Sequence, residues 1–212
     1  PAEHPIYFSK YDISDGFWRM VVAEGAEWNF AYVLPQEEGM PTKLVVPSAL
    51  RMGWRESPGY FCSASETARD VAANFAGFEG TMKELAEHHL EKHIKMPPPG
   101  EPSAYDGATP WAALEVFVDD FMAMCQDTRR LPHFTRSILH GIEEVFPPPA
   151  LTGHADGREP ISVKKVMQGD ADWMVEKELL GWLVNGDRRT VQLPADKAQA
   201  YMDELRKLSK KR

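Results

Sequence analysis

The sequence predicts an α+β fold, an antiparallel sheet backed by helices. Short runs of strand-forming residues, punctuated by turn residues, crowd the first fifty positions and return near the middle and end. Two longer segments, 57–75 and 131–145, instead repeat apolar residues at helical spacing, so each presents one stripe for burial.

Residues 7–13, 17–22, 28–34 and 43–46 read as strands, with Glu38-Gly39 as turn punctuation. Ser57-Pro58 opens a helix, because proline is favoured in the first turn, where its missing N–H costs nothing. Phe61, Ala64, Ala68, Val71, Ala72 and Phe75 form its apolar stripe. Thr81-Met82-Lys83-Glu84 has the capping-box pattern and predicts a second helix through Ile94, ended by Pro97-Pro98-Pro99-Gly100 and a polar linker to Pro110. His88, His89 and His93 then fall on a solvated face of that helix, since no Cys or carboxylate pattern completes a metal site around them.

Downstream, Leu131, Phe134, Ile138, Leu139, Ile142 and Val145 mark an amphipathic helix stopped by Pro147-Pro148-Pro149, followed by a loop over 150–160. Strands at 179–184 and 189–193 flank Asn185-Gly186-Asp187, a hairpin signal. The last segment, 194–208, is helical in pattern, with Ala198, Tyr201, Met202 and Leu205 on one face.

Composition bounds the function. At 212 residues and 43% hydrophobic, the chain can bury one domain core, and it contains no apolar run long enough to span a membrane. Cys62 and Cys125 give neither a disulfide framework nor zinc spacing, which suits a reducing, intracellular setting such as cytoplasm or nucleus. The opening at Pro1, without a signal-peptide pattern, suggests a piece of a longer protein. The net charge of −8 weighs against nucleic-acid binding, although Arg188-Arg189 and the tail residues Arg206, Lys207, Lys210, Lys211 and Arg212 supply local positive charge.

The most informative run is Val116-Phe117-Val118-Asp119-Asp120-Phe121. Aspartate is depleted in strands, so an Asp pair among strong strand formers either turns a hairpin or puts charge at a site. The first strand also ends on an acid, Asp12. Two strands presenting carboxylates at their ends can converge on a divalent cation, and Mg²⁺ favours one or two carboxylates plus substrate phosphates. That is the ligand set of two-metal phosphoryl transfer.

Here the residues carry a resemblance. Tyr11-Asp12-Ile13-Ser14-Asp15-Gly16-Phe17-Trp18 resembles the first catalytic motif of retroelement (LTR-retrotransposon-like) reverse transcriptases, and Phe117-Val118-Asp119-Asp120 resembles their aromatic-x-Asp-Asp signature. Between them, the segment 46–61, with Gly53, Ser57-Pro58 and Phe61, is similar to the family's template- and nucleotide-holding segment, with Met52 departing from the usual Gln or Phe. Val163-Lys164-Lys165 is similar to the lysine-bearing motif, and Glu178-Leu179-Leu180-Gly181-Trp182-Leu183 to the primer-grip strand.

The resemblance implies the palm of a right-hand polymerase with partial fingers over 1–193, the start of a thumb over 194–212, and an insertion at 79–110 that projects from the palm. It implies RNA-directed DNA polymerisation on an RNA/DNA primer–template with deoxynucleoside triphosphates. Asp12, Asp119 and Asp120 would ligate two Mg²⁺ ions, or Mn²⁺ in their place. Lys164 or Lys165 would protonate the leaving pyrophosphate; Asp15, Gly16, Phe17 and Gly53 would hold the nucleotide; Leu180, Gly181 and Trp182 would hold the primer. Such a chain can have flanking polyprotein domains, and the sequence leaves open whether protease, RNase H or integrase domains are among them. Two other readings are a non-catalytic palm-like scaffold for nucleic acid or protein, and a metal-dependent nuclease using the same acids, which would need neither the Ser-Pro segment nor the primer-grip hairpin.

Overall fold

A computed structural model of the chain describes residues 4–36, 39–78, 80–100, 111–148 and 159–209. Glu38, the 101–110 part of the predicted linker, most of the 150–160 loop and Lys210, Lys211 and Arg212 lie outside them.

The architecture is α+β with small antiparallel sheets. The central sheet has strand order β1-β5-β4, from β1 (Tyr7–Asp12), β4 (Ala112–Phe117) and β5 (Asp120–Cys125). Its strands alternate as a half-buried sheet must: Tyr11, Phe121, Ala123 and Leu114 point into the core, while Lys10, Asp12, Asp120 and Met122 lie on the other face. Helices α1 (Ser57–Phe75) and α2 (Leu131–Val145) cover the apolar face, and both match the predicted stripes. The two helices cross closely because small residues meet there; a Cβ added at Gly141 would lie 2.5 Å from that of Ala72.

A polar seam runs beneath the sheet, and each of its members is satisfied. The buried Tyr11 hydroxyl donates to Thr135 Oγ1 at 3.4 Å, Trp173 Nε1 donates to the same oxygen at 2.8 Å, and Ser9 Oγ donates to the Ala171 carbonyl at 2.6 Å. Burial pushes the Tyr11 hydroxyl up to about 12, so it stays protonated.

Two further sheets flank this core. The short strands β2 (Tyr32–Val33) and β3 (Leu44–Val45) pair with each other, while β6 (Glu176–Leu179), β7 (Trp182–Asn185) and β8 (Thr190–Gln192) form a meander. The meander is joined to β1 through backbone bonds from Phe8 N to Met174 O at 2.8 Å and from Ile6 N to Gly186 O at 3.2 Å. A Cβ at Gly186 would lie 1.9 Å from the Ile6 carbonyl oxygen, so only glycine permits this approach. Between α2 and β6 lies the five-residue helix α3 (Val163–Met167), and the chain closes with α4 (Ala195–Ser209). The predicted apolar face of α4 forms but is exposed, including Tyr201, Met202 and Leu205.

Several local expectations are corrected. Residues 17–22 are not a strand: Asp15 takes φ 56 and the chain turns into a 3-10 helix at Gly16–Arg19. Only Tyr32–Val33 of the 28–34 run is strand, after a second 3-10 helix at Glu27–Phe30. The capping-box helix does not form; residues 81–88 have no regular structure and only Glu91–His93 makes a 3-10 turn.

Tertiary contacts win over local propensity there. Leu90 and Ile94 are buried in the core, Trp173 N donates to Lys95 O at 2.9 Å, and Lys95 N donates to Asp172 Oδ1 at 2.8 Å. Arg136 grips Glu91 through two bonds of 2.8 and 2.9 Å. This part of the presumed insertion therefore packs on the core and does not project. Nor is His88 on a solvated face: it is buried, bonded through Nε2 to Glu143 Oε1 at 2.8 Å, and stacked on His89.

Candidate functional site

The β4–β5 hairpin turns on two residues, Val118-Asp119, in register with Phe117 opposite Asp120. Val118 sits at φ 58. For a β-branched residue this left-handed conformation is a backbone outlier costing about 1–3 kcal/mol, and such strain concentrates at functional sites. Asp120 also stands opposite Asp12 in the β1–β5 register, and the Asp119 carbonyl accepts from Ile13 N at 3.1 Å. The Asp pair thus both turns the hairpin and gathers charge: three carboxylate residues meet at one end of two neighbouring strands.

Two lysines answer that charge. Lys165 Nζ donates to Asp12 Oδ1, and Lys10 Nζ pairs with Asp120 Oδ1 at 3.1 Å. Backbone pairing delivers Lys165: Ile13 bridges to Ile161, Ser162 N donates to Asp12 O at 2.9 Å, and α3 begins at the next residue. Its neighbour Lys164 is exposed, so Lys165 is the member of the pair that reaches the acids. Burial pushes the Asp12 carboxyl above its usual range; Lys165 pulls it down by hydrogen bond and charge, and Asp119 and Asp120 push it up again. Burial likewise opposes the charge of Lys165, but Asp12, Asp120 and Asp119 outweigh it and raise its pKa.

Beyond Asp12, Asp15 is exposed in the turn and Gly16 is buried. A Cβ at Gly16 would meet Phe61 Cζ at 2.5 Å, which explains glycine at this position. The half-buried Phe17 ring lies 4.9 Å from that of Phe61, so α1 supports the turn from below. Gly53 lies apart in an exposed turn at φ 94, closed by Ser57 Oγ donating to Arg51 O at 2.6 Å.

On the other side, Leu180 and Gly181 are not strand residues. They form the two-residue β6–β7 turn at φ 47 and 83, the positive values a tight hairpin requires. This turn, with Leu183, Lys177 and the pair Lys10 and Asp120, lines a groove of about 540 Å³. Trp182 is exposed beside the turn and is not among the groove's lining residues. Lys177 Nζ donates to Asp170 O at 2.6 Å, and burial lowers its pKa.

Lys10 and Lys177 escaped the sequence reading. The signal for Lys10 was present, because a residue two before Asp12 on a strand shares its face. Lys177 had no such signal, since its place in the groove depends on how the meander docks.

Hard carboxylate oxygens gathered at one strand end suit Mg²⁺ by donor chemistry. As they stand, with ammonium groups on Asp12 and Asp120, no three His, Cys, Asp or Glu among the described residues are grouped to hold a metal ion. No helix of the described residues is long and apolar enough to cross a membrane. No protein-family model and no curated protein matches the chain.

Proposed function

We propose that this chain is the palm of an RNA-directed DNA polymerase from a retrotransposon polyprotein, joining deoxynucleotides to a primer 3′-hydroxyl on an RNA template. The observation that carries the reading is the meeting of Asp12 with Asp119 and Asp120 around a strained hairpin turn, with Lys165 on Asp12. Asp12, Asp119 and Asp120 would hold Mg²⁺, which when bound lowers the pKa of the attacking hydroxyl and stabilises charge on the leaving pyrophosphate. Lys165, beside Asp12, would give that pyrophosphate a proton. The turn carrying Asp15, Gly16 and Phe17 would receive the nucleotide, and the Leu180-Gly181 turn would hold the primer across the groove.

A non-catalytic scaffold is the second reading, favoured by the net charge of −8. Incubation of a labelled DNA primer, annealed to RNA, with Mg²⁺ and deoxynucleotides separates the possibilities. Polymerisation lengthens the primer by template-directed steps, a scaffold leaves it unchanged, and a nuclease shortens it.

A further inference from the structure

We propose that Arg19 is a positioning residue, tying the turn that carries Asp15, Gly16 and Phe17 to the segment that brings Lys165 to Asp12. The tie stands on geometry alone. Its consequence, nucleotide binding, rests on the polymerase reading.

Arg19 is half-buried and ends the 3-10 helix Gly16–Arg19. Its Nε donates to the Ser14 carbonyl at 2.7 Å, and its Nη2 donates to the Glu159 carbonyl. These acceptors stand on two chain segments that meet through the backbone bond from Ser14 N to Pro160 O at 2.8 Å. One rigid, planar guanidinium holds both, which a single ammonium on a flexible stem does not do.

Both carbonyls bear on the site. A trans peptide is planar, with its N–H directed opposite to its C=O, so a hold on the Ser14 carbonyl also fixes the direction of the Asp15 N–H. Asp15 takes the left-handed φ of 56, a conformation that persists only where its surroundings impose it. A hold on the Glu159 carbonyl fixes the start of the run that bridges Ile161 to Ile13, bonds Ser162 N to Asp12 O at 2.9 Å and delivers Lys165. One side chain therefore sets the nucleotide turn and the Asp12–Lys165 pair in a common frame. Loosening that frame misplaces the turn relative to the acids, while the core, of which Arg19 is not a member, stays packed.

Two measurements on the 212-residue chain test this with Arg19→Met and Arg19→Lys. Hydrogen exchange followed by NMR reads the tie without any activity. In Arg19→Met the Ser14 and Ser162 amides should exchange about tenfold faster, while the Phe8 amide, bonded to Met174 O from the same strand, keeps its rate. Arg19→Lys should fall between, and it carries the test if Arg19→Met fails to fold. In primer extension, Arg19→Met should raise the nucleotide KM about tenfold and leave the primer–template KM unchanged, because only the nucleotide meets the misplaced turn. Mere loss of folded protein would lower kcat and leave both KM values alone. Unchanged exchange at Ser14 and Ser162, or equal acceleration at Phe8, overturns the tie. An unchanged nucleotide KM overturns its role in binding. If the unmodified chain extends no primer, the polymerase reading fails and the exchange rates alone decide the tie.

Discussion

Asp12 and Asp120 stand opposite each other across the β1–β5 pair, each with a lysine on its carboxylate, Lys165 on the first and Lys10 on the second. Antiparallel register puts directly paired residues on one face, so this juxtaposition follows from the backbone and not from a chance of side-chain rotamers.

Phe17 joins packing to specificity. Its ring rests 4.9 Å from Phe61 and borders the turn proposed to receive the sugar. Phe17→Ala should keep deoxynucleotide incorporation while admitting ribonucleotides, since a smaller side chain leaves room for a 2′-hydroxyl. Competition between the two nucleotide types in primer extension measures this, and unchanged selectivity would confine Phe17 to packing.

Leu90 lies in the core although its segment was expected to project. Leu90→Ala should destabilise the fold by about 3 kcal/mol, as loss of a buried leucine does. Urea unfolding with an unchanged slope would give this as a shifted midpoint. A cost near zero would return residues 80–100 to the status of an appendage.

Acid should unfold the protein partly through Glu91. Burial alone would raise its pKa, but the two-pronged bond to Arg136, the His88 N–H and the Arg136 charge outweigh burial and lower it. A depressed carboxylate contributes stability that is present above the unfolded value of about 4.3 and lost as pH falls through the folded value. Asp127, lowered chiefly by its hydrogen bond to Arg129, adds in the same window. Stability measured from neutral pH down to about 3 should therefore fall below about 4.3, and Glu91→Gln should show a shallower fall.

The sequence was most legible where local and tertiary demands agree. Helix α1 follows from Pro58 and the Phe61–Ala68–Ala72–Phe75 spacing, β1 from a strand-forming run that ends on Asp12, and the β4–β5 hairpin from strand formers on either side of the Asp pair. It misled where they conflict. The 81–94 run has a good capping box, yet Leu90 and Ile94 reach the core only if the backbone is not a continuous helix, and the bonds to Asp172, Arg136 and Glu143 compensate for the helix lost. At 17–22 the apolar residues fall in two blocks either side of Arg19 and do not alternate, a pattern that fits packing of Phe17 on Phe61 better than a strand. Within the site, Asp12, Asp119 and Asp120 were readable from position, whereas the choice of Lys165 over Lys164 needed the phase of a short helix.

The central claim rests on Asp119, and primer extension on an RNA template with Mg²⁺ and deoxynucleotides, with and without Asp119→Asn, tests it most directly. The amide keeps the side-chain shape at the hairpin turn but loses the charge that would hold the cation, so extension should fall by more than about a hundredfold while the fold is retained. Extension that continues undiminished in Asp119→Asn would contradict the polymerase account.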